Sequence, residues 1–461
     1  MQLFAMSKIN RNINVPGVIL ALILCFGLWE CGIGLLQTFG FIASRHSLYS
    51  ATGTFYNPGP YCAFLSIIIV IAVGYIISAK LRIMVWLSWI YLLGAVFLLP
   101  GLMGRTGWIA AAAGCGYLFT SVCKIKLEGR RKVVAIVSGV IILAIICCGL
   151  FFLKPESATG RLFLWKIGAM TFGDHFFTGV GWDNVSGAIG LTQENYFSAH
   201  PGSAYENVAG SPEYAFNEYL QIGIAFGIFG LLLFIALPLF AAYCAHKAHR
   251  YSIAGTLIAS AVVCFASYPL QFPEFIALFG ALCIAGFLSG DYPGKWLKYG
   301  LCALTLCLCL PPMFIHEKDS FTKNHRLVFE HGKNLREQGL YEQSNEVLQQ
   351  GVRISSDPMF LNLIGRNWQS LGNRDSAAHY FERSANRLPG RLYPHYLKCR
   401  LLVDPRWCDS DSFLKVCDKV IEMKPKIESP ATRDMKAELK ALRDSIINIR
   451  RSCIKQQSIL F

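Results

Sequence analysis

Residues 217–243, NEYLQIGIAFGIFGLLLFIALPLFAAY, run for 27 positions with one charged side chain, Glu218. A helix of about 20 apolar residues crosses the hydrocarbon core of a bilayer, so this stretch reads as a membrane span. Similar stretches lie at 15–36, 61–79, 83–103, 106–123, 133–153, 252–268, 274–290 and 296–315. The expected fold class is all-α: a polytopic transmembrane helical bundle of about nine spans. It occupies 1–315 and carries a polar loop at 154–216, and a soluble helical-repeat domain follows at 316–461.

The composition agrees. Of 461 residues, 54% are hydrophobic and 16% charged, and the mean hydropathy is +0.41. Soluble domains carry about 25% charge. Charge is thin before Pro312 and dense after it. The formal net charge of +14 would suggest nucleic acid on a soluble chain, but no nucleic-acid motif is present. The basic residues lie mainly in short loops and in the tail, so membrane orientation explains the loop share. Most of the 17 cysteines fall inside apolar spans, where they act as small apolar residues. No Cys or His spacing suits a metal, and no cofactor is expected. The first span is too long for a cleavable signal and reads as a signal anchor.

Lys8, Arg11, Lys80, Arg82, Lys124, Arg130, Lys247, Arg250, Lys295 and Lys298 gather at one set of span ends. That side is expected to be cytoplasmic, together with the N-terminus. The 154–216 loop and the tail then face outward, into the periplasm if the membrane is a bacterial inner membrane. The loop is too long and too aromatic for a plain connection. It reads as ordered turns and short amphipathic helices. In the tail, Gly339-Leu340-Tyr341 and Leu371-Gly372-Asn373 each separate amphipathic stretches. Helix, glycine turn and helix at a period of about 34 resembles tetratricopeptide repeats. A degenerate copy is expected at 392–425 and a final helix at 431–451.

Several polar residues stand at span ends. Arg161 follows the fifth expected span closely, and its planar fork of donors suits phosphate oxygens. An interfacial anchor is the simpler reading. Trp165, one turn on, favours the interface. Arg105 lies between two apolar spans, where charged residues tend to line polar cavities unless they snorkel. Asn57 belongs to a rigid Asn-Pro turn before the second span. His175 and His200 are the loop's histidines, and an imidazole there is either solvated or a general base. Asn217 and Glu218 open the sixth span, where the helix dipole alone favours a carboxylate. Gly227 and Gly230 are expected to permit close helix packing. No phosphate-binding loop or hydrolase motif stands in a suitable context.

Taken together, the ordered segments resemble the O-antigen ligase/polymerase superfamily of bacterial membrane glycosyltransferases. Gly53-Thr54-Phe55-Tyr56-Asn57-Pro58 resembles its GTF-x-NPN turn. Gly104-Arg105-Thr106-Gly107-Trp108 resembles its SR-x-x-W segment. Gly160-Arg161, Trp165 and Gly179-Val180-Gly181 resemble its GR-x-x-x-W and G-x-G pattern, and Asn217-Glu218-Tyr219-Leu220-Gln221 with Gly227 and Gly230 resembles its HN-x-x-L-Q and G-x-x-G pattern. The resemblance covers 15–315, and tetratricopeptide tails occur in the group. It implies metal-independent transfer of a glycan from a polyprenyl diphosphate to an acceptor glycolipid, glycan or protein on the outer face. Arg161 and Arg105 would hold the diphosphate, and Glu218 or His200 would take the acceptor's proton. Asn217, Trp165 and Asn57 would line the site. One position departs: the family's histidine before the asparagine is Phe216 here. That leaves open a ligase, a polymerase, a non-catalytic assembly factor whose repeats bind a protein partner, and a lipid-glycan transporter.

Overall fold

The computed structural model describes residues 14–79, 81–123, 155–314 and 324–459. The expected fifth span at 133–153 lies outside the described residues. Among those described, the regular structure is helical and no strand occurs. The helices of the first half are α1 (Val15–Thr38), α2 (Pro58–Ser78), α3 (Arg82–Leu102), α4 (Arg105–Val122), α5 (Pro155–Asp174) and α6 (Val185–Ala199). Then follow α7 (Glu218–Lys247), α8 (Tyr251–Ala266), α9 (Pro273–Phe287) and α10 (Lys295–Phe314). The tail holds α11 (His325–Glu337), α12 (Tyr341–Ile354), α13 (Met359–Ser370), α14 (Arg374–Arg387), α15 (Leu392–Leu402), α16 (Ser410–Glu422) and α17 (Pro430–Ile459). Two compact units result. One draws on Met1–Leu150, Phe216–Tyr219 and Leu232–His316, the other on Phe151–Ala215, Leu220–Leu231 and Glu317–Phe461.

Among the described residues, α1, α2, α3, α7 and the Lys295–Met313 part of α10 are long and apolar enough to cross a membrane, by length and composition. The expected seventh and eighth spans are shorter than the sequence pattern suggested, as α8 and α9 are apolar helices of 16 and 15 residues. Pro269 ends the run between them, because proline lacks the N–H that a continuing helix needs. Helix α4 matches the expected fourth span in place, but Arg105 and a run of alanines and glycines make it less apolar. Its small residues serve packing instead. A Cβ at Gly107 would overlap Ser66, and one at Gly114 would overlap Val70 and the Gly255 carbonyl. Small residues at such crossings let apolar helices pack closely where lipid supplies no hydrophobic drive. Tyr61, Phe64, Ile68, Tyr91 and Phe275 are sealed in the core. The phenols satisfy themselves there: Tyr61 donates to the Glu30 carbonyl at 2.8 Å and Tyr91 to the Leu65 carbonyl at 2.6 Å.

The second unit joins the 154–216 segment to the tail, a grouping that nothing in the sequence spacing signals. The expected short helices are two full ones, α5 and α6. Thr171 of α5 donates to Thr192 of α6 at 2.9 Å. Helix α6 then lies against the tail. A Cβ at Gly187 would overlap the Arg353 carbonyl, and one at Gly190 would overlap the Ser356 backbone. Ser186 and Ser356 both donate to the Pro212 carbonyl, at 2.8 and 2.9 Å. Gln193 donates to the Arg387 carbonyl at 2.6 Å. Glu194 accepts from Arg383 Nε at 2.6 Å and from Arg387 Nη2 at 2.8 Å. Burial draws the Arg387 guanidinium down from its usual range, and Glu194 opposes that. The tail helices form hairpins, α11 with α12 and α13 with α14, turning at Gly339 and Gly372 where the sequence places its turns.

Candidate functional site

In the first unit, three of the motif segments converge on one short connection. It runs from the end of α8 through a 3₁₀ turn, Pro269–Gln271, to the start of α9. Phe55 of the 52–57 turn packs on Phe272, with ring centroids 5.4 Å apart. Thr106, next to Arg105 in the first turn of α4, donates to the Ala266 carbonyl at 3.5 Å. Phe216 meets Tyr268 edge to face at 4.8 Å. Glu218 accepts from the Leu270 backbone N–H at 2.8 Å.

The geometry separates these residues by role. Asn57 caps α2, its side chain accepting from Gly59 N at 2.9 Å, and Pro58 follows at the first helical position. Asn217 accepts from Tyr219 N at 3.0 Å and caps α7 in the same way. Such caps satisfy N–H groups that the helix leaves open. The 52–54 turn is fastened from α1. Gln37 accepts from the N–H groups of Thr52 and Gly53, both at 2.9 Å, and Glu30 accepts from Thr54 N at 3.0 Å and Thr54 Oγ1 at 2.8 Å. Both oxygens of Glu30 are engaged.

Glu218 differs. It is 1% exposed, one oxygen holds Leu270, and the other has no hydrogen-bond partner among the described residues. Gln271 Nε2 and Glu274 Oε2, on the same connection, are likewise buried and without partners there. Phe216, just before the cap, holds a left-handed backbone with φ of 52°. Non-glycine residues rarely adopt it, and such strain gathers at functional sites. Sequence reading missed Leu270, Gln271 and Glu274. Their only signal in the chain is Tyr268-Pro269, a proline at the end of an apolar run.

The second unit holds the remaining residues. Arg161 and Trp165 lie on α5, four apart and so on one face. Phe163 and Ile167 of the same helix are buried. Phe163 stacks on Tyr205 at 4.9 Å and touches Tyr196 at 5.5 Å. Lys166 donates to Tyr196 Oη at 3.1 Å and stands over its ring at 4.5 Å. That hydrogen bond, with one from Ser203, holds the Tyr196 phenol below its usual range. His200 caps the end of α6, donates from Nδ1 to the Tyr196 carbonyl at 2.9 Å and stacks on the Tyr196 ring at 4.6 Å. His200 as a residue is exposed. The sequence pattern marked His200 but missed Lys166 and Tyr196 as its neighbours. His175 lies past the end of α5 and is exposed.

Two glycine motifs explain one another. Gly227 breaks α7 with φ of 67° and ψ of −166°. The expected role of packing two continuous helices is therefore corrected at Gly227: it turns the chain. The break frees carbonyls, and the 179–181 segment takes them up. Val180 N donates to the Ile224 carbonyl and Gly181 N to the Ala225 carbonyl, both at 2.9 Å. Gly179 is left-handed at φ of 67°, and any Cβ there would overlap Ala225. Nearby, Gln221 of α7 accepts from Ala215 N at 2.9 Å. Among the described residues, no group of three or more His, Cys, Asp or Glu side chains is placed to hold a metal ion.

No curated protein and no solved structure matches the chain. Residues 89–235 match the family model described as O-Antigen ligase. That stretch contains Arg105, Arg161, Trp165, His200, Asn217 and Glu218, and the apolar helices that carry it fit a membrane protein of glycosyltransferase type.

Proposed function

We propose that this chain is a membrane glycosyltransferase of the O-antigen ligase or polymerase type. It moves a glycan from a polyprenyl diphosphate carrier to an acceptor glycolipid, glycan or protein at the outer face of a bacterial inner membrane. The observation that carries the reading is the O-Antigen ligase match over 89–235, which contains the cationic and acidic residues that such chemistry needs. In the proposed reaction the acceptor hydroxyl attacks the anomeric carbon, the bond to the diphosphate oxygen breaks, and the polyprenyl diphosphate leaves with the electron pair. Arg105 and Arg161 stabilise the charge gathering on that leaving group. With Phe216 unable to accept a proton, Glu218 takes the hydroxyl's proton through the oxygen not bonded to Leu270. His200 is the alternative acceptor. Asn57, Trp165 and Asn217 shape and support the site.

In this reading residues 1–315 form the membrane domain, the tail is a tetratricopeptide-like domain beside the outward loop, and the N-terminus is cytoplasmic. Membrane lipids surround the bundle, and nucleic acid plays no part. Arg161→Ala abolishes transfer of a radiolabelled lipid-linked glycan by the purified protein while membrane insertion is unchanged. Retained activity sinks the proposal. Deleting the gene and running surface glycans on a gel separates the subtypes: loss of all long chains marks a ligase, single-unit products a polymerase. Phe216 favours one further reading, a non-catalytic assembly factor. It predicts no turnover by the purified wild-type protein.

A further inference from the structure

Helix α3 turns one face to its neighbours and another away from them. It packs on α1 and α2, and its Ser88, Tyr91, Ala95, Leu98 and Leu102 are buried. At about 100° per residue, Arg82, Trp86, Trp89 and Leu93 fall on the opposite side. With Ala79 and Val85 they line a groove of about 610 Å³. Trp86, Trp89 and Leu93 are 70%, 49% and 71% exposed, so no other described part of the chain fills it.

The chemistry of the groove changes along the helix. Arg82, at the first position of α3, is the only charged residue of that helix. It is exposed, and among the described residues its guanidinium forms no ion pair. The rest of the lining is aliphatic or indole. Trp86 lies one turn in from Arg82, at a depth where an amphipathic indole is favoured. Arg82 and Leu93 are eleven positions apart, a rise of about 16 Å. Half of a hydrocarbon core about 30 Å thick is about 15 Å. The groove therefore suits a ligand with an anionic group at one end and hydrocarbon reaching one leaflet deep. A sugar or a peptide would set polar groups against the indoles and Leu93 with nothing to bond them. A zwitterionic phospholipid would bring its ammonium beside the Arg82 guanidinium. An anionic phospholipid brings the phosphate without that second cation. A polyprenyl chain is much longer than the groove.

We propose that the Arg82–Leu93 face of α3 is a binding site for an anionic phospholipid. Its phosphate lies on the Arg82 guanidinium, and one acyl chain runs along Trp86, Trp89 and Leu93. The site does not depend on the transfer reaction.

The test uses the full-length protein in lipid nanodiscs and reads tryptophan fluorescence quenched by brominated acyl chains. The chain has nine tryptophans, so each protein is also measured with Trp86→Phe and Trp89→Phe added, and the difference isolates the groove. In wild type that difference signal is half quenched at about a five-fold lower mole fraction of brominated phosphatidylglycerol than of brominated phosphatidylcholine, the effect of one basic residue near a membrane surface. Arg82→Gln abolishes the preference, and Arg82→Lys retains most of it. Lys247→Gln removes an equal charge at an exposed position in the last turn of α7 and leaves the preference unchanged. Equal half-points for the two lipids in wild type refute the site, as does a preference that survives Arg82→Gln. If Lys247→Gln costs as much as Arg82→Gln, the lipid is reading overall charge and the site is again refuted. Relief of quenching by undecaprenyl phosphate at a lower mole fraction than by unbrominated phosphatidylglycerol overturns the phospholipid assignment.

Discussion

Glu194 and Glu218 are both nearly sealed from solvent, at 6% and 1% exposure, yet their surroundings differ. Glu194, where α6 meets the tail, accepts from Arg383 Nε, Arg387 Nε and Arg387 Nη2 at 2.6, 3.2 and 2.8 Å. Glu218, at the start of α7, accepts one backbone N–H and keeps an oxygen without a partner among the described residues. Burying a carboxylate is costly unless charge and hydrogen bonds offset it. Around Glu194 that cost is offset, and the residue fastens two parts of the unit together. Around Glu218 it is not, and local rules of this kind tend to be broken where a protein acts rather than where it is merely held. The contrast separates scaffold from candidate chemistry without any bound ligand.

The largest effect that would break the contrast is kinetic. Glu218→Gln keeps an oxygen for Leu270 N–H and removes the basic group. Transfer by the purified enzyme falls about 100- to 10,000-fold, while the thermal transition moves little. A wild-type rate would make Glu218 a second Glu194. Next comes Arg387→Met, which leaves Glu194 buried beside Arg383 alone. Removing one partner of a buried pair costs about 3–5 kcal/mol, so α6 and α14 become sensitive to limited proteolysis at lower denaturant. Unchanged proteolysis would show that the ion cluster is not what fastens this region.

Smaller effects sharpen the picture. Asn217→Ala removes the cap of α7 and costs about 1 kcal/mol, seen as a modest shift of the denaturation midpoint. A much larger loss of transfer than of stability would place Asn217 among the groups that meet substrate. The smallest effect is acid-dependent. Arg406 donates to Asp404 at 2.9 and 2.7 Å and, with Gln369, holds that carboxyl well below the usual range. A lowered folded-state value stabilises the fold above the ordinary value, about 3.9, and the benefit is lost as pH falls below it. The tail's unfolding midpoint therefore drops on acidification from about pH 5 towards pH 2. Asp404→Asn flattens that dependence.

Much of the fold could be read before any coordinates. Long apolar runs, Asn-Pro starts and glycine turns are local signals. They placed α1, α2, α3 and the tail hairpins close to where they stand. The site was legible only in part. Arg105, Arg161, His200 and Glu218 were marked by residue type and position. The connection from Tyr268 to Phe272 was not, since its contribution is a backbone N–H and a ring face, which no spacing rule encodes. The docking of Gly179-Val180-Gly181 on the break at Gly227 was equally hidden, because each motif has a bland local reading alone. The grouping of α6 with the tail rests on Glu194 and Arg387, 193 positions apart.

From the sequence alone came the apolar helices, the charged helical tail and the residue types suited to an anionic lipid substrate. Periodicity and turn chemistry act over a few residues, so a linear chain carries them openly. Only tertiary structure decided which buried carboxylate is neutralised and which keeps an oxygen uncommitted. That outcome depends on donors brought together from distant parts of the chain, and on whether enough of them arrive to offset the loss of water.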